Sequence, residues 1–109
     1  MKKAIPKESE IQNACCEYLA LRKHFFWRQN NTPVFDSAKR VFRAMPKYAL
    51  KGIPDIIVIA NAGFVVFLEI KRPKAKQSED QLIFEERCKK IGCEYHVITD
   101  VIQLKEIGL

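Results

Sequence analysis

KGIPDIIVIANAGFVVFLEIKRPK, residues 51 to 74, holds two runs of Ile, Val, Leu and Phe separated by Asn61-Ala62-Gly63. The runs predict two buried strands, about Asp55 to Ala60 and Phe64 to Lys71. A three-residue loop with Gly63 in the left-handed region is a common hairpin closure. It pairs Ala60 with Phe64 and, counted back along both strands, places Asp55 opposite Glu69. Lys71, two residues past Glu69, shares its face. A two-residue loop would shift the register by one and turn Asp55 to the other face. Pro54 lacks an N–H, which suits the start of a strand. It biases Ile53 towards extended backbone, and Gly52 permits a sharp entry.

The charges at the ends of this apolar hairpin call for an explanation, because buried charges are costly unless they pair or bind a metal. Two carboxylates set opposite each other repel, so either one is strongly perturbed or both hold a cation. Asp and Glu oxygens suit Mg²⁺ or Mn²⁺. Such an ion makes a bound water more acidic and polarises a phosphoryl oxygen. Lys71, placed nearby, can hold the attacking water and the phosphate as a point charge. A surface ion pair of Glu69 with a neighbour, and Asp55 capping a turn, would fit the same spacing. Spacing alone does not separate the two readings.

Working outward, Ile11, Ala14, Cys15, Tyr18, Leu19 and Arg22 recur at helical spacing, which predicts an amphipathic helix from Ser9 to Arg22. Ser9 and Gln12 fit a capping box at its start. FFWRQ (Phe25 to Gln29) reads as a strand. Residues Asn30 to Lys51 form a basic connection of weak patterning, with a short helix expected around Ser37 to Met45. A connection this long in a small domain is usually functional or mobile. A second helix is expected from Ser78 to Ile91, capped by Ser78 with Gln81, burying Leu82, Ile83, Arg87 and Cys88, and stopped by Gly92. Glu94 to Thr99 reads as a strand and Val101 to Ile107 as a short terminal helix. The order is αβββαβ plus that last helix. It predicts an α/β (α+β) layered fold, with a mixed central sheet flanked by helices, as one domain over residues 1–109.

The chain has 109 residues, 48% of them hydrophobic and 29% charged, which is the make-up of a globular domain and not of a disordered one. Its formal net charge of +6 admits a polyanionic partner, although a solvated basic surface is the plainer account. The four cysteines (Cys15, Cys16, Cys88, Cys93) show no paired spacing for zinc. They are expected to be reduced thiols of a cytosolic protein. No signal peptide and no membrane span is expected.

GIPD at Gly52–Asp55, followed fourteen positions after its Asp by EIK at Glu69–Lys71, resembles the PD-(D/E)xK nuclease signature. The ordered set is more specific: SEIQ at a helix start, FFWRQN, GIPDIIV, FLEIK, then SEDQ opening a helix with a Gly after it. Together these resemble the virus-type replication-repair nuclease (VRR-NUC) family over nearly the whole chain, in the short stand-alone form typical of phages and bacteria. The resemblance implies a PD-(D/E)xK restriction-endonuclease-like core, related to archaeal Holliday junction resolvases. It implies a Mg²⁺- or Mn²⁺-dependent DNA endonuclease acting on branched or structured DNA in the cytoplasm of a bacterium or phage-infected cell. DNA, rather than a small molecule, would be the substrate. Asp55 and Glu69 would be metal ligands, with the backbone carbonyl of Ile70 completing the set, and Lys71 the catalytic lysine. Glu10 would be the acidic residue of the first helix facing the metal, and Gln81 the glutamine after the ExK strand. Other substrates of the same fold, or a non-catalytic basic DNA-binding role, stay open.

Residue by residue, Gln81 can cap its helix and face the site at once. Glu10 suits a helix start regardless of function, and Glu8 and Glu17 compete with it. Trp27 and Arg28 lie on opposite faces of one strand, with Trp27 expected in the core and Arg28 reaching towards phosphate. Neither His24 nor His96 is needed by the chemistry. Lys39, Arg40, Arg43, Lys47, Lys51, Arg72, Lys74 and Lys76 flank the site in sequence and suit phosphate contacts. A homodimer is expected, because a symmetric junction needs two cuts and one domain offers one site. The apolar surplus of FFWRQ and VFRAM, which could equally fold into the monomer core, supports it more weakly.

Overall fold

The computed structural model describes residues 4–29, 35–36, 41–42 and 47–109, the two short internal pieces as backbone only. In chain order it has α1 (Glu8–Leu21), β1 (Phe25–Arg28), β2 (Phe35–Asp36), β3 (Val41–Phe42), β4 (Ile56–Ile59), β5 (Val65–Ile70), α2 (Glu79–Lys90), β6 (Glu94–Ile98) and α3 (Ile102–Glu106). The main sheet runs β1-β4-β5-β6, with β1, β4 and β5 antiparallel and β6 parallel to β5. The expected mixed sheet, flanked by helices, is present.

The hairpin register is the one the loop length predicts. Ile56 pairs with Leu68 and Ile59 with Val65. Asn61–Gly63 is a kinked tight turn in which both Ala62 (φ 63°) and Gly63 (φ 77°) take left-handed backbone. The Ala60 N–H donates to Phe64 O at 2.7 Å and closes the loop.

Alternation along the strands divides the sheet into two faces. On one, Ile56, Val58, Val66, Leu68, Ile70 and Ile98 pack with Ile11, Cys15 and Leu19 of α1 and with Leu104 and Leu109. Ile11, Cys15 and Leu19 recur every four residues, so a single stripe of α1 enters this core. Each fully buried Leu or Ile contributes about 1.5–3 kcal/mol. On the opposite face α2 covers the β5–β6 half. Phe84 meets Phe67 edge to face at 5.2 Å between ring centroids and lies 6.5 Å from the Tyr95 ring.

Several expectations are corrected. The N-cap of α1 is Lys7, without a side-chain cap, so Ser9 and Gln12 form no capping box. The helix begins early enough to set Glu8 and Glu10 in its first turn, where carboxylates favour the positive end of the dipole. Leu82 and Ile83 are half exposed, while Cys88 is buried and Phe84 packs on the sheet. The capping box at Ser78 and Gln81 sets the rotation of α2 and turns Gln81, Phe84 and Cys88 inward. Val41–Phe42 is a strand paired with Phe35–Asp36 and not part of a helix, as β-branched and aromatic residues favour. The rest of the expected Ser37–Met45 helix lies outside the described residues. All four cysteines are free. Among the described residues no helix is long and apolar enough to cross a membrane.

Candidate functional site

One end of the sheet brings Asp55, Glu69, Lys71 and Gln81 together. Asp55 sits just before β4, one step beyond the Ile56–Leu68 pair and therefore across from Glu69. Its Oδ2 accepts the backbone N–H of Ile70 at 2.9 Å. Its own carbonyl accepts the N–H of Gln29 at 2.7 Å, which anchors the residue to the end of β1. The carboxylate of Asp55 thus takes up a donor of β5 that lies past the end of β4.

Glu69 is 1% exposed, which is rare for a carboxylate without a strong partner. Its Oε1 accepts the Nε2–H of Gln81 at 2.9 Å and lies 3.9 Å from Lys71 Nζ. At that distance the lysine contributes charge rather than a hydrogen bond. The other oxygen, Oε2, is buried and accepts no hydrogen bond from any described residue. The Glu69 carboxyl is pushed up from 4.5 to about 8, with burial as the largest cause. The charge of Asp55 is the next contributor to that rise, Lys71 opposes it, and a hydrogen bond with Asp55 and the charge of Glu8 add to it. As two anions the pair repels, and a cation or one shared proton relieves this. Glu69 Oε2 is the atom either would satisfy.

Gln81 does both jobs expected of it. Its Oε1 accepts the Ser78 N–H at 2.8 Å, its own N–H donates to Ser78 Oγ at 3.2 Å, and its Nε2 reaches Glu69. The capping box therefore fixes the rotamer that orients the glutamate.

Sequence reading missed what holds this helix start in place. Gly52 (φ 74°) lies against it so closely that an added Cβ would fall 2.5 Å from the Asp80 carbonyl carbon and oxygen and 2.8 Å from the Gln81 nitrogen. These are backbone atoms and cannot swing aside. Gly52→Ala is therefore expected to destabilise the fold by roughly 2–4 kcal/mol, from overpacking and left-handed backbone together. Denaturant melts against wild type check this, and a loss under 0.5 kcal/mol would show that the contact yields.

The remaining expected site residues are dispersed. Glu10 is exposed, and the α1 carboxylate whose charge reaches Glu69 is that of Glu8. Among the described residues no three His, Cys, Asp or Glu side chains are grouped so as to hold a metal ion. Asp55 and Glu69 are the two carboxylates whose side chains this end of the sheet brings together. The Ile70 side chain is buried on the opposite face, and its backbone N–H is the one bound by Asp55. Arg28 is exposed on the α1 side of the sheet, where its charge is felt by Cys16. Lys47, Lys51, Arg72, Lys74 and Lys76 are exposed. Lys39, Arg40 and Arg43 lie outside the described residues. Trp27 is 40% exposed, so its expected place in the core is corrected. Tyr95 was not foreseen: its buried phenol accepts Gln77 Nε2–H at 3.1 Å and is pushed up by burial and by the charge of Glu69. Only the pairing of β6 with β5, which sequence alternation does not specify, brings it there.

No family model matches the chain, and no curated protein matches it. A solved structure described as a VRR_NUC domain is similar, with a TM-score of 0.67 and 21% sequence identity, over 92% of this chain and 91% of that one. The chain therefore has the fold of that domain, in agreement with the resemblance carried by its motifs.

Proposed function

We propose that the chain is a divalent-metal-dependent nuclease of the VRR-NUC type that hydrolyses phosphodiester bonds in branched or structured DNA, in the manner of a Holliday junction resolvase. The observation that carries this reading is Glu69, fully buried beside Asp55, with one oxygen oriented by Gln81 and the other left without a donor. A merely structural glutamate at a strand end would turn to solvent or use both oxygens.

Asp55 and Glu69 would hold a Mg²⁺ or Mn²⁺ ion, with the Ile70 carbonyl as a backbone ligand. Two protein carboxylates suit Mg²⁺, which keeps several of its waters. Once bound, the ion supplies charge to a phosphoryl oxygen and acidifies water. Lys71 places an ammonium beside Glu69, where it holds a phosphate oxygen and the attacking water. Gln81 keeps Glu69 in the ligating rotamer, a positioning role. Glu8 and Glu10, both in the first turn of α1, would supply its acidic charge, and that of Glu8 already acts on Glu69. Arg72, Lys74 and Lys76, directly after Lys71, together with Arg28, Lys47 and Lys51, contact phosphates of the substrate. Lys39, Arg40 and Arg43 belong to the same basic connection.

The test is cleavage of four-way, flap, single-stranded and duplex DNA with Mg²⁺, with Mn²⁺ and in EDTA. Metal-dependent cutting that favours the four-way or flap substrate is expected, and cutting undiminished in EDTA overturns the metal reading. A resolvase must cut twice, so the chain is proposed to act as a homodimer. Light scattering at micromolar concentration should give twice the chain mass, and the two strands of a four-way junction should be cut as a pair. A monomeric mass with uncoupled nicks would leave a nuclease that is not a junction resolvase.

A further inference from the structure

We infer that Trp27, with Phe25 beside it, is a stacking platform for an unpaired base of the DNA strand held at Asp55 and Glu69. This inference rests on the nuclease reading above. A tryptophan is normally well buried, and its exposure on a small domain needs a reason. Trp27 is 40% exposed and Phe25 67% exposed, on the edge strand of the sheet. Their ring centroids are 6.0 Å apart with planes tilted by 54°.

The indole is also tethered. Its Nε1–H donates to Gln29 Oε1 at 3.2 Å, and the Gln29 N–H donates to Asp55 O at 2.7 Å. The ring is thus oriented through the same residue that anchors Asp55. Trp27 pairs with Ile57, so it stands on the sheet face that carries Asp55 and Glu69. It is the diagonal cross-strand neighbour of Asp55, roughly 7 Å away between side-chain origins. The α2 helix covers the β5–β6 half of that face through Phe84 and leaves the rings of β1 in the open.

Charge complementarity selects the occupant. Lys23, exposed just before β1, and Arg72, Lys74 and Lys76, exposed directly after Lys71, put cations around the site, whereas Arg28 stands on the α1 face. Exposed rings with cations near the same site are what a polyanion with flat bases requires. A paired base inside a duplex already has both faces stacked. An unpaired or extruded base next to the cleaved bond is the one that presents a free face. The platform would thereby select open DNA structures over plain duplex.

Trp27 is the chain's only tryptophan, so its fluorescence reports the contact directly. In EDTA, which prevents cleavage, single-stranded and bubble oligonucleotides are expected to quench it strongly and a blunt duplex much less. Trp27→Ala should weaken binding of the single strand and the bubble roughly five- to a hundredfold, with duplex affinity within twofold of wild type. Trp27→Phe, which keeps an aromatic face, should recover most of the loss. Unchanged fluorescence at saturating single strand would overturn the platform, as would wild-type affinity of Trp27→Ala for all three DNAs. Conversion of a dimer to a monomer by Trp27→Ala would assign the face to a second copy and also overturn it. Quenching without metal-dependent cleavage would reject only the nuclease reading, whereas cleavage indifferent to Trp27 would reject only the platform.

Discussion

Lys71→Ala should give a folded protein that cleaves DNA at least a hundredfold more slowly than wild type. Lys71 lies just past β5, with a side chain only 12% exposed and Nζ 3.9 Å from Glu69 Oε1. The substitution leaves the backbone alone, and the Lys71 N–H still donates to Ile98 O at 2.9 Å. Circular dichroism and the melting temperature should therefore stay close to those of wild type. What goes is the ammonium that the proposed mechanism sets against developing negative charge, and removing one such donor typically slows the chemical step by about 10²–10³. A hundredfold is ~2.7 kcal/mol of barrier. Arginine would not substitute, because its broad planar fork does not fit where a compact point charge sits. Single-turnover cleavage at saturating enzyme is the measurement. Activity of Lys71→Ala within about tenfold of wild type, only ~1.4 kcal/mol, would remove the lysine from the reacting phosphate.

The parts of this site that could be read from sequence are those governed by short-range rules. Loop length sets hairpin register, and the loop ending in Gly63 therefore located Asp55 opposite Glu69 and Lys71 on the same face. Local capping chemistry likewise gave Ser78 and Gln81, and because the cap uses the Oε1 and backbone N–H of Gln81, its Nε2 was free to donate to Glu69. Failures occurred where tertiary contacts decide. Ser9 resembles a cap as well as Ser78 does, yet α1 starts at Glu8 with Lys7 as its N-cap. Leu82 and Ile83 are more apolar than Gln81, yet the close approach of Gly52 to Asp80 and Gln81 orients α2 with Gln81 inward. Trp27 has the composition of a core residue, and only its place on an edge strand, beyond the cover of α2, leaves it in solvent. A functional site breaks local expectations at such points, because it places polar groups where packing alone would not.

The second large effect concerns stability rather than rate. In metal-free buffer the wild type is expected to lose stability as pH rises from about 4.5 to about 8, and Glu69→Gln should not share that loss. In the folded state burial and the Asp55 charge keep a proton on Glu69 that the unfolded chain releases near 4.5. Between the two values the native state holds more protons, so raising pH favours unfolding. The contribution is complete below about 4.5 and spent above about 8. Its size is on the order of a few kcal/mol, at about 1.4 kcal/mol per pH unit of displacement. Urea melts at pH 5 and pH 8 should show it as the difference between wild type and Glu69→Gln, since other titrating groups cancel. A divalent ion held by the proposed pair is expected to offset part of this loss, because it would bind the ionised form and compete with the proton. Mn²⁺ at a hundred times its dissociation constant stabilises by about 2.7 kcal/mol. That gain should be larger at pH 8 than at pH 5 and much reduced in Asp55→Asn. Equal Mn²⁺ shifts in wild type and Asp55→Asn would place the ion elsewhere. A pH dependence unchanged by Glu69→Gln would mean that the glutamate is ionised when folded, with its buried Oε2 satisfied by water.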